Sequence, residues 1–444
     1  MKLIKGLEDA KKFLLDLRKF GIDNIPNETL ELILESNKKI FGKKLSPIQI
    51  VEMILDEVKK EGDKALKKYT SKLDGFDIDQ IKVSNEDIRN AYNKVPLKLI
   101  EALKIASERV ADFHSKTLPK SWMDKEKGWG QKIQPMNIIG TYAPGGTATY
   151  PSTVIMTVIP AKIAGVEKII LCTPTKNNSP PDPSILVAAD ISGVDDIFQI
   201  GGAQAIAAMA YGTKTIPAVD MICGPGNIFV TLAKKLLFGQ VGIDGLFGPT
   251  EAMLIADKSS NSDYCCADLL AQAEHDILAK PILITTSEKI GKEVKEKISN
   301  AIPKMARSET AKLSIETQGA IIVLDNLDDA FDLANIFSPE HLSLMIDSPL
   351  SHIEKIKNAG AIFIGEFSHE VLGDYIAGPS HVMPTGGSAK FNSGLGVHTF
   401  LKYSPVLALD NSLALELGET ASIIAQAEGL YGHFDALKIR KSKN

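Results

Sequence analysis

Cysteine is scarce in this sequence. The 444 residues include four cysteines, at positions 172, 223, 265 and 266, and no two are spaced as Cys-x-x-Cys. Zinc sites built from cysteine usually need such pairs, so this class of metal site is excluded. Isolated thiols of this kind are typical of a reducing compartment. The sequence therefore predicts buried, reduced cysteines in a cytoplasmic protein.

Long apolar runs and strongly basic blocks are also missing. No stretch reaches the length that a membrane-spanning helix needs, and residues 1–20 read as a charged amphipathic helix and not as a signal peptide. The formal net charge is −5, with both signs mixed along the chain. Nucleic acid and membrane are therefore excluded as main partners.

The dinucleotide fingerprint Gly-x-Gly-x-x-Gly is absent, but three other glycine turns each follow a strand-like run and precede a helix-like run. These turns are "GTYAPGGTATYPS" (140–152), "QIGGAQAIAAMA" (199–210) and "CGPGNIFV" (223–230). Backbone N–H groups at such turns can approach a phosphate. The turns predict a nucleotide site in which Tyr142 stacks on a base, Gln204 hydrogen-bonds it and Asn227 reaches the ribose or the nicotinamide amide.

Strand-like and helix-like segments alternate over most of the chain, which predicts an α/β fold. We expect two doubly wound, Rossmann-like parallel-sheet domains with helical N- and C-terminal extensions. The predicted parts are a helical segment (1–36), one α/β domain (37–140 with 250–393), an inserted nucleotide-binding domain (141–249) and a helical C-terminal extension (394–444).

The stretch "FSPEHLSL" (337–344) places Glu340 beside His341 in an apolar run. Because ionisable side chains are expensive to bury without partners, this pair needs an explanation. Ser-Pro-Glu also suits the first turn of a helix. The alternative is a general acid/base pair, because a glutamate and a histidine can exchange protons near neutral pH.

Further polar residues occur where a core would not choose them. Gln272 and His275 are three residues apart on a predicted helix and so face the same way. Asp374 and His381 lie in an irregular segment (366–400), and Glu428 and His433 lie near the C-terminus. Gln272, His275 and Asp374, together with a further histidine, could hold a divalent metal with open coordination positions.

The motifs, taken together and in order, resemble the histidinol dehydrogenase family. They are "YAPGG", "GGAQAIAAMAYG", "CGPGN", "GPTEAMLIAD", "LLAQAEH", "SPEHL", "GDYIAGPSHVMPTGG" and "AEGLYGH", and they extend from about residue 40 to residue 440. The resemblance implies an NAD-dependent, zinc-containing homodimer with shared active sites. Its reaction would be the four-electron oxidation of L-histidinol to L-histidine through bound L-histidinaldehyde.

The resemblance also implies a role for each matched residue. Glu340 and His341 would be the catalytic pair. The zinc ligands would be Gln272, His275, Asp374 and His433, and these four with His341 would also contact the substrate. Further substrate contacts would be Thr250, His381 and Glu428, and the NAD contacts would be Tyr142, Gln204 and Asn227. The family motif usually reads Gly-Pro-Ser-Glu, whereas this chain has Thr250 in place of the serine.

Two other hypotheses are compatible with the fold. One is a related NAD-dependent dehydrogenase that oxidises another small polar alcohol, and Glu428 and His433 argue against it. The other is a non-catalytic regulator, which would have lost part of the catalytic or ligand set. All of those residues are present in this sequence.

Overall fold

The structure is a computed structural model that describes residues 1–18, 27–145, 149–176 and 179–442. Residues 146–148, inside the first glycine turn, lie outside the described residues. The chain divides into a main unit, residues 1–117 and 136–400, and a terminal unit, residues 118–135 and 401–444.

The strands in chain order are β1 (Lys2–Lys5), β2 (Trp122–Asp124), β3 (Trp129–Pro135), β4 (Ile138–Tyr142), β5 (Lys168–Cys172), β6 (Asp196–Phe198), β7 (Met221–Cys223), β8 (Gly242–Ile243), β9 (Glu251–Ala256), β10 (Lys280–Thr285), β11 (Ala320–Val323), β12 (His341–Met345), β13 (Ala361–Ile364) and β14 (Leu401–Leu407). The helices are α1 (Leu7–Leu17), α2 (Asn27–Phe41), α3 (Pro47–Glu61), α4 (Asp63–Asp74), α5 (Asn85–Tyr92), α6 (Leu97–Lys116), α7 (Pro151–Ala164), α8 (Pro183–Ser192), α9 (Gly202–Tyr211), α10 (Ile228–Leu237), α11 (Ser262–Ala273), α12 (Glu288–Ala301), α13 (Ser308–Thr317), α14 (Leu327–Phe337), α15 (Glu370–Tyr375), α16 (Asn411–Ala427) and α17 (Tyr431–Ser442).

The main unit contains two parallel sheets with the same winding order. The five-stranded sheet runs β6-β5-β4-β7-β8, and the six-stranded sheet runs β11-β10-β9-β12-β13 with β1 added beyond β11. In each sheet the first strand of the series is central and the order reverses beside it, as in a Rossmann fold. The predicted fold class of two doubly wound parallel sheets is confirmed.

Burial on both faces explains why the central strands are apolar throughout. Along β9, Met253 and Ile255 pack in one core cluster with residues of α1 and α14. The alternate residues Ala252 and Leu254 pack in a second cluster with residues of α11, α12 and α13. Successive side chains of a strand point to opposite faces, so helices cover this sheet on both sides.

Helix α7, beside the five-stranded sheet, is also apolar nearly all round. In α7 every residue from Thr153 to Ala161 is buried, as expected for a helix enclosed by protein. The helix ends at Gly165, whose left-handed backbone is available to glycine at little strain. Residues of α3 and α4 pack in the same core cluster as α9 and α10.

The N-terminal segment begins with a strand. Residues 2–5 form β1, which pairs in parallel with β11, and α1 follows. The apolar side chains Ala10, Leu14 and Leu17 of α1 join the core under the six-stranded sheet. This segment is therefore part of the six-stranded layer. The domain limits given above remain a prediction.

The terminal unit consists of an antiparallel sheet and a helical hairpin. Its strand order is β14-β3-β2, and α16 packs against α17. Several apolar side chains of the hairpin are exposed in this chain, among them Leu417, Ile423, Ile424 and Tyr431. In the described part of the chain, no helix is long and apolar enough to cross a membrane.

Candidate active site

A polar cleft of about 350 Å³ opens in the main unit between loops of the two sheets. Pro144 and Asn227 reach it from loops that follow β4 and β7, at the carboxyl edge of the five-stranded sheet. Thr250 and Glu340 reach it from residues that precede β9 and β12, at the amino edge of the other sheet. The cleft thus joins opposite edges of two similar sheets. Ligand sites in parallel α/β sheets usually lie at the carboxyl edge of the strands. In this cleft only the side formed by the five-stranded sheet does so.

Glu340 lies in the turn between α14 and β12. Helix α14 ends at Phe337, Ser338 adopts a left-handed conformation with φ of 54°, and the next strand starts at His341. The alternative of a helix start at Ser-Pro-Glu is therefore wrong, because His341 begins a strand instead. The turn brings an acidic residue to the head of a buried strand.

Two donors hold the Glu340 carboxylate in one orientation. Its Oε2 accepts hydrogen bonds from the Thr250 hydroxyl at 2.6 Å and from the Glu251 backbone N–H at 3.0 Å. Burial raises the pKa of Glu340, although the neighbouring His341 and these donors act in the opposite direction. A carboxylate with a raised pKa is suited to take up a proton during a reaction.

The His341 ring has one nitrogen bonded and one nitrogen free. Its Nδ1 lies 3.2 Å from the Glu251 carbonyl oxygen, which can only accept, so Nδ1–H is the donor. Its Nε2 is buried without a hydrogen-bond partner among the described residues and lies 3.7 Å from Asp374 Oδ1. Burial would lower the pKa of His341, but Glu340, Asp374 and Glu370 outweigh burial and raise the pKa to about 10.

Gln272, His275 and Asp374 line the same cleft, although they come from different segments. Gln272 lies in the last turn of α11, and the His275 N–H donates to the Gln272 carbonyl at 3.3 Å just beyond it. Asp374 lies on α15. Gln272 and His275 line one cleft, as expected, but the helix ends at Ala273, so the prediction that His275 lies on it is wrong.

The Gln272 amide is held by three neighbours. Its nitrogen faces Glu370 Oε1 at 3.1 Å and its oxygen faces the Glu251 N–H at 3.1 Å, so the amide has an acceptor on one side and a donor on the other. The Thr250 hydroxyl is the third contact. Burial raises the pKa of Glu370 to about 8.

His381 completes this side of the cleft. Its Nδ1–H donates to the Asp374 carbonyl at 2.8 Å, and the Thr153 hydroxyl lies 3.3 Å from its Nε2. Burial lowers the pKa of His381, which favours the neutral ring. A neutral imidazole here can accept a hydrogen bond from a ligand or from Thr153.

Comparisons with known proteins show which family this chain belongs to. A family model described as histidinol dehydrogenase matches residues 42–441. The chain belongs to the histidinol dehydrogenase family. Membership makes it an oxidoreductase of histidine biosynthesis, so the enzyme class and the family predicted from the sequence are confirmed.

Relatives in several bacteria are similar over nearly the whole chain. A histidinol dehydrogenase of Dehalococcoides mccartyi is 44% identical over 439 residues, covering 98% of this chain and 99% of that protein. One from Listeria monocytogenes is 45% identical over 393 residues, covering 88% and 92%. The crystal structure of histidinol dehydrogenase from Elizabethkingia anophelis matches with a TM-score of 0.90 and 33% identity, covering 100% of this chain and 98% of that one.

Three residues of this histidinol dehydrogenase family member are predicted to bind the nucleotide, and they lie in different surroundings. Asn227 lines the cleft and caps α10, accepting from the N–H groups of Phe229 and Val230 at 3.0 and 3.2 Å. Tyr142 is buried, and its hydroxyl accepts from the Gly202 N–H at 3.0 Å. Gln204 is buried, with its Oε1 lacking a partner among the described residues. Their part in nucleotide binding remains a prediction.

A second hollow, of about 460 Å³, lies beside these residues at the carboxyl edge of the five-stranded sheet. It is lined by Gly145 after β4, by Thr173 and Thr175 after β5, and by Asp74 at the end of α4. Burial raises the pKa of Asp74 to about 6. The hollow shares Pro144 with the polar cleft, so the two lie next to each other.

Glu428 and His433 belong to the terminal unit. Glu428 is the residue that ends α16, and His433 lies in the first turn of α17. Both side chains are exposed. The residues lining the polar cleft all belong to the main unit.

Two residues around the cleft have no role assigned from the sequence. Glu251 and Glu370 are fully or almost fully buried and contact the predicted site residues. A signal for Glu251 is present, because it is the one charged residue of the otherwise apolar strand "EAMLIA". For Glu370 the signal is its position four residues before Asp374, on the same helical face.

A buried ion pair holds the glycine turn that presents Asn227. Lys234 donates to the Gly224 carbonyl at 3.1 Å and contacts the Asp244 carboxylate, and Asp244 accepts from the Gly224 N–H at 2.7 Å. Both side chains are almost fully buried. Gly224 has φ of 104°, a conformation that other residues rarely adopt.

Lys234→Met should lower the free energy of unfolding by about 3–5 kcal/mol, because Asp244 would stay buried without its partner. The double variant Lys234→Met/Asp244→Asn should lose less, since no unpaired charge remains. Lys116→Met removes an exposed pair with Asp112 and should cost about 1 kcal/mol or less. Urea unfolding of the variants measures all three, and equal losses for Lys234→Met and Lys116→Met would contradict the prediction.

Proposed function

We propose that the polar cleft oxidises L-histidinol to L-histidine in two successive NAD-dependent steps, with L-histidinaldehyde held between them. The observation that carries this proposal is the Glu340–His341 pair. One carboxylate and one free imidazole nitrogen meet in a cleft whose other polar groups can bind an amino alcohol. NAD⁺, when bound, supplies the acceptor for a hydride in each step.

In the first step His341 acts as the general base. Its Nε2 takes the hydroxyl proton of the alcohol while the carbinol carbon loses a hydride, so that R–CH₂OH becomes R–CHO. In the unprotonated ring, whose share grows as the pH approaches the raised pKa of about 10, the Glu251 carbonyl keeps the remaining proton on Nδ1, which leaves the Nε2 lone pair available. The buried Nε2 without a partner supports this assignment.

In the second step Glu340 activates water. It removes a proton as the water oxygen adds to the aldehyde carbon, while protonated His341 returns the proton gained in the first step to the carbonyl oxygen, which gives the hydrate R–CH(OH)₂ and a neutral imidazole. His341 then takes a hydroxyl proton of the hydrate as a second hydride leaves to NAD⁺, and the product is the acid R–COOH, whose remaining proton is released to give R–COO⁻. Glu340 is held by Thr250 and the Glu251 N–H, so its carboxylate is oriented before water arrives.

Zinc is proposed at Gln272, His275 and Asp374, with His433 as the fourth ligand. The first three offer one amide oxygen, one imidazole nitrogen and one carboxylate, which are donors that zinc accepts. Among the described residues of this single chain, no group of three or more His, Cys, Asp or Glu side chains could hold a metal. The set fits zinc if a further ligand comes from outside the cleft. When bound, the metal supplies a Lewis acid that can orient the substrate nitrogens.

The remaining contacts are proposed by motif. Tyr142, Gln204 and Asn227 would contact NAD. Substrate contacts would come from Thr250, His381 and Glu428, in addition to the zinc ligands and His341. We also propose a homodimer, supported by the exposed apolar residues of α16 and α17, and a cytoplasmic location, supported by four free and buried cysteines.

Reduction of NAD⁺ with L-histidinol, with and without a zinc chelator, tests the proposal. NADH should form with L-histidinol, should stop after the chelator and should return when zinc is added. Other small amino alcohols that lack the imidazole provide the comparison. A higher kcat/KM with one of them would support the alternative, a dehydrogenase of another small polar alcohol.

The pH dependence of alcohol oxidation should follow His341. A base must be unprotonated, so kcat/KM should rise as the pH increases through its pKa. The Glu340 carboxylate is the leading cause that raises this pKa, and Glu340→Gln should therefore lower it. The rising limb of the profile should move to lower pH in the variant. A limb that stayed in place, or moved to higher pH, would contradict the assignment.

A further inference from the structure

Arg18 connects the N-terminal segment to the turn that carries Glu340. The residue directly follows α1, and its side chain is largely buried. Its Nε donates to the Phe337 carbonyl at 3.0 Å and one Nη donates to the Ser338 carbonyl at 3.3 Å. The guanidinium also lies 3.5 Å from the centre of the Phe337 ring. Arg18 thus contacts both the last residue of α14 and the residue after it.

This contact supports an unusual piece of backbone. Ser338 is a non-glycine residue with φ of 54°, and only one other non-glycine residue of the described chain, Ser348, has positive φ. The last carbonyls of a helix lack partners within the helix and carry partial negative charge. The Arg18 guanidinium donates to the Phe337 carbonyl at the end of the helix and to the Ser338 carbonyl after it. Arg18 therefore stabilises the turn two residues before Glu340.

The same guanidinium also contacts the side chain of Glu251. Its other Nη meets the fully buried Glu251 carboxylate. Lys280 Nζ lies 2.9 Å from the same carboxylate oxygen, and the Gly386 N–H lies 3.3 Å from it. The Glu251 side chain is therefore fixed from three directions.

The backbone of Glu251 holds both catalytic side chains. Its N–H donates to Glu340 Oε2 at 3.0 Å, and its carbonyl accepts from His341 Nδ1 at 3.2 Å. In the sheet, His341 pairs in parallel register with Ala252, the residue after Glu251. Displacement of Glu251 would therefore change the orientation of the carboxylate and of the imidazole together.

We infer that Arg18 is a positioning residue for the Glu340–His341 pair and acts through Glu251. One planar cation joins the start of β9 to the turn before β12, which are the two segments whose relative position sets the geometry of the pair. The inference rests on the proposed function, since it assigns a role in that reaction. The inference also gives the N-terminal segment a part in catalysis, although Arg18 is far from Glu340 in the sequence.

Lysine should not replace this arginine fully. Its ammonium could still pair with Glu251, but it lacks the rigid fork that reaches two carbonyls and a carboxylate at once. Loss of positioning at a catalytic group typically lowers the rate by about 10- to 100-fold per ångström of displacement. We expect Arg18→Met to lower kcat by about 10- to 100-fold with KM nearly unchanged. The kcat of Arg18→Lys should lie between those of the unaltered enzyme and Arg18→Met.

The control is Lys5→Met, in the same segment. Lys5 forms an exposed pair with Glu288 at 2.8 Å and does not contact the cleft. This variant should keep the kcat of the unaltered enzyme. All rates are divided by the folded fraction, measured by thermal unfolding, so that loss of fold does not count as loss of catalysis. If Arg18→Met does not fold, Arg18→Lys and Arg18→Gln provide the same comparison.

A double-variant cycle tests the route through Glu251. If Arg18 acts through Glu251, Arg18→Met/Glu251→Gln should be no slower than the slower of the two single variants. Losses in kcat that multiply would show independent roles and overturn the inference. An Arg18→Met enzyme with normal kcat per folded molecule would show a purely structural role and overturn it as well.

The two levels of the proposal can fail separately. If the unaltered enzyme formed no NADH from L-histidinol, the proposed function would be wrong. If the unaltered enzyme and Lys5→Met were active and Arg18→Met matched them, only the positioning role would be wrong.

Discussion

Glu340→Gln is expected to slow oxidation of L-histidinaldehyde by about 10²–10⁴-fold while slowing oxidation of L-histidinol much less. Only the aldehyde step needs water added to a carbonyl carbon, and glutamine cannot accept the proton of that water. The glutamine oxygen can still accept hydrogen bonds from Thr250 and the Glu251 N–H, so the geometry should be kept.

Single-turnover experiments separate the two steps. Enzyme in excess is mixed with L-histidinol or with L-histidinaldehyde, and NADH is followed by absorbance. In Glu340→Gln the first substrate should give one rapid NADH followed by a slow second one. His341→Asn is the comparison, because loss of the general base should slow both steps by about 10²–10⁴-fold. Equal slowing of the two steps in Glu340→Gln would show that another group activates water.

Chains carrying His433→Ala, mixed with chains carrying Gln272→Ala, should regain activity that neither homodimer has. His433 lies in the terminal unit, whereas Gln272 lines the polar cleft of the main unit. If each metal takes His433 from the partner chain, one site of a mixed dimer collects both defects and the other has none. Mixed dimers isolated with two affinity tags should therefore show about half the activity of the unaltered dimer.

A matched control combines two defects on the same helical hairpin. His433→Ala chains mixed with Glu428→Ala chains would give each site one altered hairpin, so these dimers should stay nearly inactive. Zinc content per dimer gives a readout that does not depend on turnover, and one zinc is expected in the active mixture. Mixed dimers of Gln272→Ala with His433→Ala that formed but stayed inactive would show that the ligands come from one chain.

The parts of the fold that the sequence predicts are those set by local patterns. The strand runs are apolar because both faces of each sheet are buried, and the turn glycines sit where helices begin and end. The Glu340–His341 pair can be recognised in the sequence because ionisable groups are rare in apolar runs that become buried. The two Rossmann-like sheets follow from the alternation alone.

The contacts that orient Glu340 and His341 depend on long-range geometry. Thr250 and Glu340 are 90 residues apart, and Arg18 and Glu251 are 233 residues apart. No periodicity joins such residues, so their contacts could not be predicted from spacing. The position of the pair at the amino edge of the six-stranded sheet could not be predicted either, because strand patterns do not indicate which edge faces a neighbouring sheet.

The ratio of NADH formed to L-histidinol consumed tests the central claim most directly. The proposal gives the Glu340–His341 pair a role in both the alcohol and the aldehyde step, so two NADH and one L-histidine should form for each L-histidinol, with no free aldehyde released. Product analysis by mass spectrometry and an aldehyde trap complete the measurement. One NADH per L-histidinol, with the aldehyde accumulating, would contradict the account.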